Sequence, residues 1–232
     1  MTHSPVLIAC SHGTSNATGD AEVRELRRAV SALRPSLDVR EAYVDVQEPA
    51  LPDVVAALPE GEPAVIVPVL LSVGYHVKVD IAQARESRPR TSAAAPLGPD
   101  PVLVDVLEER LREAGVADGD AVVLAAAGSS NPAASAAVED VAGQLATRLG
   151  RPVTCAYGSA AEPKVPHAVE AARAAGAPRV VVASYLLAHG WFHDQLFKAG
   201  ADLVTEPLLP SEALAGLVLK RFDEAVAAAP GA

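Results

Sequence analysis

Aromatic side chains are scarce in this chain: Phe, Trp and Tyr supply 3% of its 232 residues, although half of all residues are apolar. Ala and Val carry most of that apolar content, so helices and strands must pack closely around small side chains. Basic residues are a minority, 19 against 29 acidic, for a net charge of −10. A protein that binds nucleic acid irrespective of sequence needs a basic stripe to displace counterions, so no nucleic-acid partner is expected. Cysteine occurs only at positions 10 and 155. There is no CxxC pair, disulfide framework or zinc-ribbon spacing, and both cysteines read as small buried hydrophobes within strands. No basic segment followed by an apolar core opens the chain, and no apolar run is long enough to cross a bilayer. The expectation is a soluble, cytoplasmic protein with no membrane partner.

What is present is a repeat. VVLAAAGSSNP (122–132) matches VLIACSHGTSN (6–16) with a shift of one residue, setting Gly128 against Gly13 and Asn131 against Asn16. AYGSAAEP (156–163) falls under AYVDVQEP (42–49), and VVVASYLLAHGWFHD (180–194) under VIVPVLLSVGYHVKV (65–79). EPLLPSEAL (206–214) mirrors APLGPDPVL (95–103). Four matched segments in one order at a nearly constant offset indicate duplication of one α/β unit, with a period too long for a short solenoid repeat.

Strand-like and helix-like runs alternate within each copy. Ala64–Leu71 is continuously apolar and β-branched, as a strand buried on both faces should be. The alternation predicts parallel sheets with right-handed crossovers. The expected fold is α/β: two similar three-layer α/β/α domains, 1–117 and 118–232, with the active-site cleft between them. The polar GVADGD segment (115–120) reads as the boundary, helices are expected over 21–33 and 78–86, and the tail AVAAAPGA as frayed.

The chemistry differs between copies. His12 and His76 each follow an apolar strand and are expected at matching strand ends, where the carboxyl ends of parallel strands line one crevice. Ala127 and Phe192 stand in their places in the second copy, which therefore reads as degenerate at the site. His189 and His193, spaced i, i+4, would share one helix face, although His189 can also precede the helix. Neutral imidazole is a metal ligand and a proton carrier near neutral pH. A phosphoryl-transfer histidine is an alternative for the Ser11-His12-Gly13-Thr14 turn, but Ser11 occupies the place where such enzymes carry a phosphate-clamping arginine.

SHGT near the start, AYVDVQEPAL after the second strand, and PVLLSVGYHVKVDI together resemble the sirohydrochlorin chelatase family, the class II cobalt- and iron-inserting enzymes, in its two-domain duplicated form. The likeness spans about residues 5 to 225, the degenerate copy included. It implies insertion of a divalent metal, iron to give sirohaem or cobalt on the way to cobalamin, into an octacarboxylate tetrapyrrole. Metal and tetrapyrrole are both substrates, and no resident cofactor is implied. By position, His12 and His76 become the residues that bind the metal and help remove the two pyrrole protons. The family's acidic residue falls on Asp45 or Glu48. The substrate-binding set comprises Ser11, Gly13, Thr14, Asp45, Ser72, Gly74, Tyr75 and Lys78. Because the net charge opposes an octacarboxylate, local cations and amides must overcome it: Lys78, Arg85, Arg88, Arg90 and the helix N-terminus after Ser15 are candidates. A non-catalytic tetrapyrrole or metal carrier is the second reading, and a monomer or a homodimer fits the duplication.

Overall fold

A computed structural model describes residues 4–72 and 74–229, apart from the side chains of residues 75–77. The chain divides into two compact units, Met1–Leu97 with Ser211–Ala232, and Gly98–Pro210. In the first, β1 (Val6–Ser11), β2 (Val39–Tyr43), β3 (Ala64–Pro68) and β4 (Thr91–Ala93) form a parallel sheet in the order β2-β1-β3-β4. β1 is central, and all six of its residues are buried, which explains its unbroken apolar run. Val6, Ile8 and Cys10 pack on α2 (Leu51–Ala56) and α3 (Tyr75–Glu86), largely through Leu51, Val54, Val55, Ile81 and Ala84. The other face is covered by α1 (Ala17–Leu33) and α8 (Glu212–Ala228).

The second unit repeats the plan. β5 (Ala121–Ala126), β6 (Val153–Tyr157), β7 (Val180–Tyr185) and β8 (Leu203–Val204) are parallel in the order β6-β5-β7-β8. Helices α6 (Val165–Ala174) and α7 (Trp191–Leu196) lie on one face. Helices α4 (Pro101–Glu113) and α5 (Pro132–Leu149) lie on the other. The equivalent glycines Gly13 and Gly128 both take positive φ, +97° and +91°, and Asn16 and Asn131 both cap a helix with their side chains.

The compact units do not follow the 1–117 and 118–232 division of the repeat, because each copy's last helix completes the other copy's unit. In the first unit, Arg221 of α8 donates to the carbonyls of Pro96 and Leu97 at 2.8 and 3.0 Å, and Arg34 pairs bidentately with Asp223. In the second, Arg110 of α4 donates to the carbonyls of Pro207, Leu208 and Pro210, and Arg148 reaches Asp105 and Glu108. The GVADGD segment is thus a turn inside one unit: Asp120 accepts from the Ala117 amide and binds Arg179, and it is only 7% exposed.

Two helix starts differ from expectation. α1 begins at Ala17, not at 21, because the Asn16 side chain accepts from the Gly19 amide at 2.9 Å. α3 begins at Tyr75, not at 78, behind Gly74, which offers no side-chain cap and so leaves no sequence signal. At the other end, α8 continues to Ala228 into the stretch expected to fray, and residues 230–232 lie outside those described. Cys155 is half-buried, since β6 is an edge strand, whereas Cys10 is fully buried. Among the described residues, no helix is long and apolar enough to cross a membrane.

Candidate active site

In the first unit the connections on either side of β1 leave in opposite directions, to β2 on one side and β3 on the other. Ligands of open α/β sheets bind at such a switch point, outside the carboxyl ends of the strands. The loops arriving there follow β1 and β3: residues 12–16 with His12, and residues 69–74 leading into α3. The Val69 amide donates to the Cys10 carbonyl at 2.8 Å, so the two loops start side by side.

The loop after β2 is laced onto the His12 loop as well. Val44 donates to the Ser11 carbonyl and Asp45 to the His12 carbonyl, both at 3.0 Å, extending the ladder beyond the sheet. Asp45 therefore lies beside His12–Gly13, and both His12 and Asp45 are exposed. Gly13 makes this approach possible: a Cβ there would stand 2.1 Å from the Asp45 carbonyl oxygen. Glu48 is employed differently. Its carboxylate accepts from the Ala50 amide at 2.7 Å, at the start of α2, and Glu162 does the same for Lys164 in the second unit. A role shared by both copies belongs to the turn, which leaves Asp45 as the acidic group beside His12.

Gln47 is a site residue that sequence reasoning missed. Its Oε1 accepts from the Thr14 amide at 2.8 Å, and its Nε2 donates to Asp20 at 2.8 Å, clamping the His12 loop between β2 and α1. Ala161 replaces it in the second copy, so the comparison between copies that singled out His12 also carries this signal. The Gln47 and Arg24 hydrogen bonds hold the Asp20 carboxyl below its usual range. That carboxylate occupies the first turn of α1, so the helix N-terminus after Ser15 is already balanced by a negative charge.

Other expected residues are placed as follows. His76 is the second residue of α3 and not a strand-end residue, because Val69–Gly74 intervene after β3; its side chain and that of Tyr75 lie outside the described residues. The Ser11 side chain is buried, with no hydrogen-bond partner for its hydroxyl among the described residues. The Thr14 hydroxyl accepts from the Asn16 amide at 3.1 Å, as Ser129 does for Asn131, and so builds the turn in both copies. Ser72 is half-buried, and Gly74, with φ of −65°, adopts a backbone open to any residue. Lys78 is exposed one turn into α3. Arg88 and Arg90 bind carbonyls of Pro59, Gly61 and Glu62 before β3, at the opposite end of the sheet from His12. Arg85 pairs with Glu86 near the end of α3, about 13 Å along the helix from His76. None of the three arginines joins the Lys78 end.

Beneath the loop, burial, with a smaller contribution from Asp80, pushes the Cys10 thiol up to about 12, so it stays protonated at neutral pH. Among the described residues no group of three or more His, Cys, Asp and Glu is placed to hold a metal.

The CbiX family model matches residues 6–114 and again 121–225, covering most of the chain and following the repeat. The chain belongs to the CbiX family. No curated relative matches the sequence. Among solved structures, SirB from Bacillus subtilis with Fe3+ superposes with a TM-score of 0.81 at 17% identity, covering 96% of each chain. SirB from Bacillus subtilis subspecies spizizenii in complex with cobalt gives 0.76 at 16%, over 95% of this chain and 94% of the other. CbiX, described as the terminal enzyme of sirohaem biosynthesis in denitrifying bacteria, gives 0.70 at 19%, over 96% and 99%. These likenesses establish the fold, two CbiX-type α/β units.

Within this CbiX chain, the second copy carries other residues at the equivalent positions. Ala127, Ser159 and Phe192 replace His12, Asp45 and His76. Phe192 packs into the core of its unit and lies so near Gly158 that a Cβ there would be 2.9 Å from its ring.

Proposed function

We propose that this CbiX protein is a sirohydrochlorin chelatase, inserting Fe²⁺ to give sirohaem, with Co²⁺ as the second choice. The observation that carries the reading is His12 and Asp45, held side by side at the carboxyl end of the first sheet by the Asp45–His12 backbone bond and exposed there. The replacement of both, and of His76, in the second copy supports a single working site.

The residue types suit the reaction. Imidazole with one carboxylate binds Fe²⁺ or Co²⁺ without the retention a thiolate set would impose, so the ion can pass to the macrocycle. Insertion forms four metal–nitrogen bonds, breaks those from metal to protein, and releases two pyrrole N–H protons. His12 and His76, with Asp45, are the proton acceptors. Lys78 meets a peripheral carboxylate of the substrate. The protein works in the cytoplasm, where its two unpaired cysteines stay reduced.

Metalation of sirohydrochlorin, followed anaerobically by absorbance with Fe²⁺ and Co²⁺ separately, tests the proposal. The expected result is many turnovers per chain, faster with Fe²⁺ at matched concentration. His12→Ala and His76→Ala should fall to the spontaneous rate with an unchanged circular dichroism spectrum. One equivalent bound without turnover would replace this reading with that of a carrier.

A further inference from the structure

We propose that Asp20 is a positioning residue for the His12 loop: it sets which way the Gln47 side-chain amide points, and through Gln47 it fixes the Thr14 backbone. The direction follows from what each group can do. The Thr14 amide only donates and lies 2.8 Å from Gln47 Oε1, while the Asp20 carboxylate only accepts and lies 2.8 Å from Gln47 Nε2. A Gln47 amide turned end for end would set a donor against the Thr14 N–H and an oxygen against the carboxylate. Arg24, one turn further along α1, donates its Nε to both Asp20 oxygens at 3.0 and 2.9 Å and so holds the carboxylate in place. The Gln47 hydrogen bond first, then that of Arg24, keeps the Asp20 carboxyl below its usual range, so it remains an acceptor.

The loop contains a residue that needs such a hold. Gly13, at φ +97°, has more backbone freedom than any other residue type. On one side of it the His12 carbonyl is fixed by the Asp45 amide. On the other side the Thr14 amide is fixed by Gln47, so the two bonds bracket the glycine. The second copy forms the same backbone without this bracket. Ser135 and Ala161 stand in the places of Asp20 and Gln47. Even so, Ser159 donates to the Ala127 carbonyl at 2.9 Å, as Asp45 does to His12, and Ala161 donates to the Ser159 carbonyl at 2.6 Å, as Gln47 does to Asp45. Gly128 likewise takes φ +91°. The clamp is therefore an addition to the copy that carries the histidine, and what it supplies is precision at His12. Its effect on rate rests on the chelatase reading, whereas its hydrogen bonds do not.

The test substitutes the pair in the full chain and reads sirohydrochlorin metalation together with hydrogen exchange at the Thr14 amide. Gln47→Ala introduces the residue of the second copy, so the melting temperature should hold. Its kcat should fall about tenfold or more, with KM for sirohydrochlorin within about twofold of the parent. The Thr14 amide should exchange about fivefold faster. Gln47→Glu should do the same, because a carboxylate cannot donate to Asp20. Asp20→Asn keeps an acceptor for Nε2 and should stay near the parent. Combining Asp20→Asn with Gln47→Glu reverses the bond, the new amide donating to the new carboxylate. That double variant should return kcat and Thr14 protection to within about threefold of the parent, a restoration that a role in packing alone does not predict. Unchanged kcat and Thr14 exchange in Gln47→Ala, or a double variant no better than Gln47→Glu, would overturn the proposal. Absence of turnover in the parent would remove the chelatase reading, and Thr14 exchange in the same variants would still decide whether Asp20 directs the clamp.

Discussion

Gly13→Ala is the sharpest perturbation the fold offers, because the duplication supplies its own control. At φ +97° an alanine is strained, and its Cβ would begin 2.1 Å from the Asp45 carbonyl oxygen. A carbon–oxygen contact needs about 3.2 Å, so the His12 loop must retreat by about 1 Å. The retreat breaks the 3.0 Å Asp45–His12 backbone bond, worth about 1 kcal/mol, and the backbone conformation adds about 1–3 kcal/mol. A total near 3 kcal/mol lowers the melting temperature by roughly 6–12 °C for a chain of this size. A misplacement of about 1 Å at reacting groups costs on the order of 100-fold in rate. Gly128→Ala meets the same obstacle, a Cβ 1.9 Å from the Ser159 carbonyl oxygen at φ +91°, beside a loop that carries Ala127. It should melt as early as Gly13→Ala yet keep its metalation rate within about twofold at a temperature where both are folded. Equal losses of activity in the two variants, or full activity in Gly13→Ala, would refute the argument that loop placement in the first copy alone sets the rate.

Three further expectations follow from the same geometry. Asp45→Asn should lower the metalation rate at least tenfold without changing the melting temperature, whereas Glu48→Ala should leave the rate unchanged and cost about 1 kcal/mol of stability. Arg110→Ala and Arg221→Ala remove matching bonds to the Pro-Leu carbonyls of the two exchanged segments. Each should destabilise by about 2–4 kcal/mol in urea unfolding, and a large cost from only one would show that the exchange is not reciprocal. The Asp120 carboxyl is held below its usual range, first by its hydrogen bond from Arg179. A depressed folded pKa contributes stability that is present above the unfolded value, near pH 4, and is lost as the pH falls through the folded value. Asp120→Asn should therefore be less stable than the parent at pH 7, and the two should converge in acid melts once the pH has fallen through the folded value.

The fold class, the duplication and the place of His12 were legible because each rests on local pattern. A buried parallel strand must be almost wholly apolar, and β1, β3, β5 and β7 are, Ser11 and Ser184 apart; a strand-to-helix turn needs small and capping residues, and SHGTSN has them. His76 was displaced from its expected strand end for an equally local reason: a helix that starts at Gly74 without a capping side chain leaves no mark in the sequence. Gln47 and the buried Ser11 hydroxyl depended on partners far along the chain, as did the separation of Asp45 from Glu48.

Sequence alone determined that there are two like α/β units, that the first keeps the histidines, and that the second replaces them with Ala127 and Phe192. It could not determine which sheet each final helix covers. α4 and α8 are both helices that follow equivalent Pro-rich segments. The choice was made by Arg110 and Arg221 reaching carbonyls about a hundred residues away, and long-range contacts of that kind leave no periodicity to read. Tertiary structure likewise decided that Asp45 stands beside His12, because the backbone bond that sets it there is made with no side chain at all.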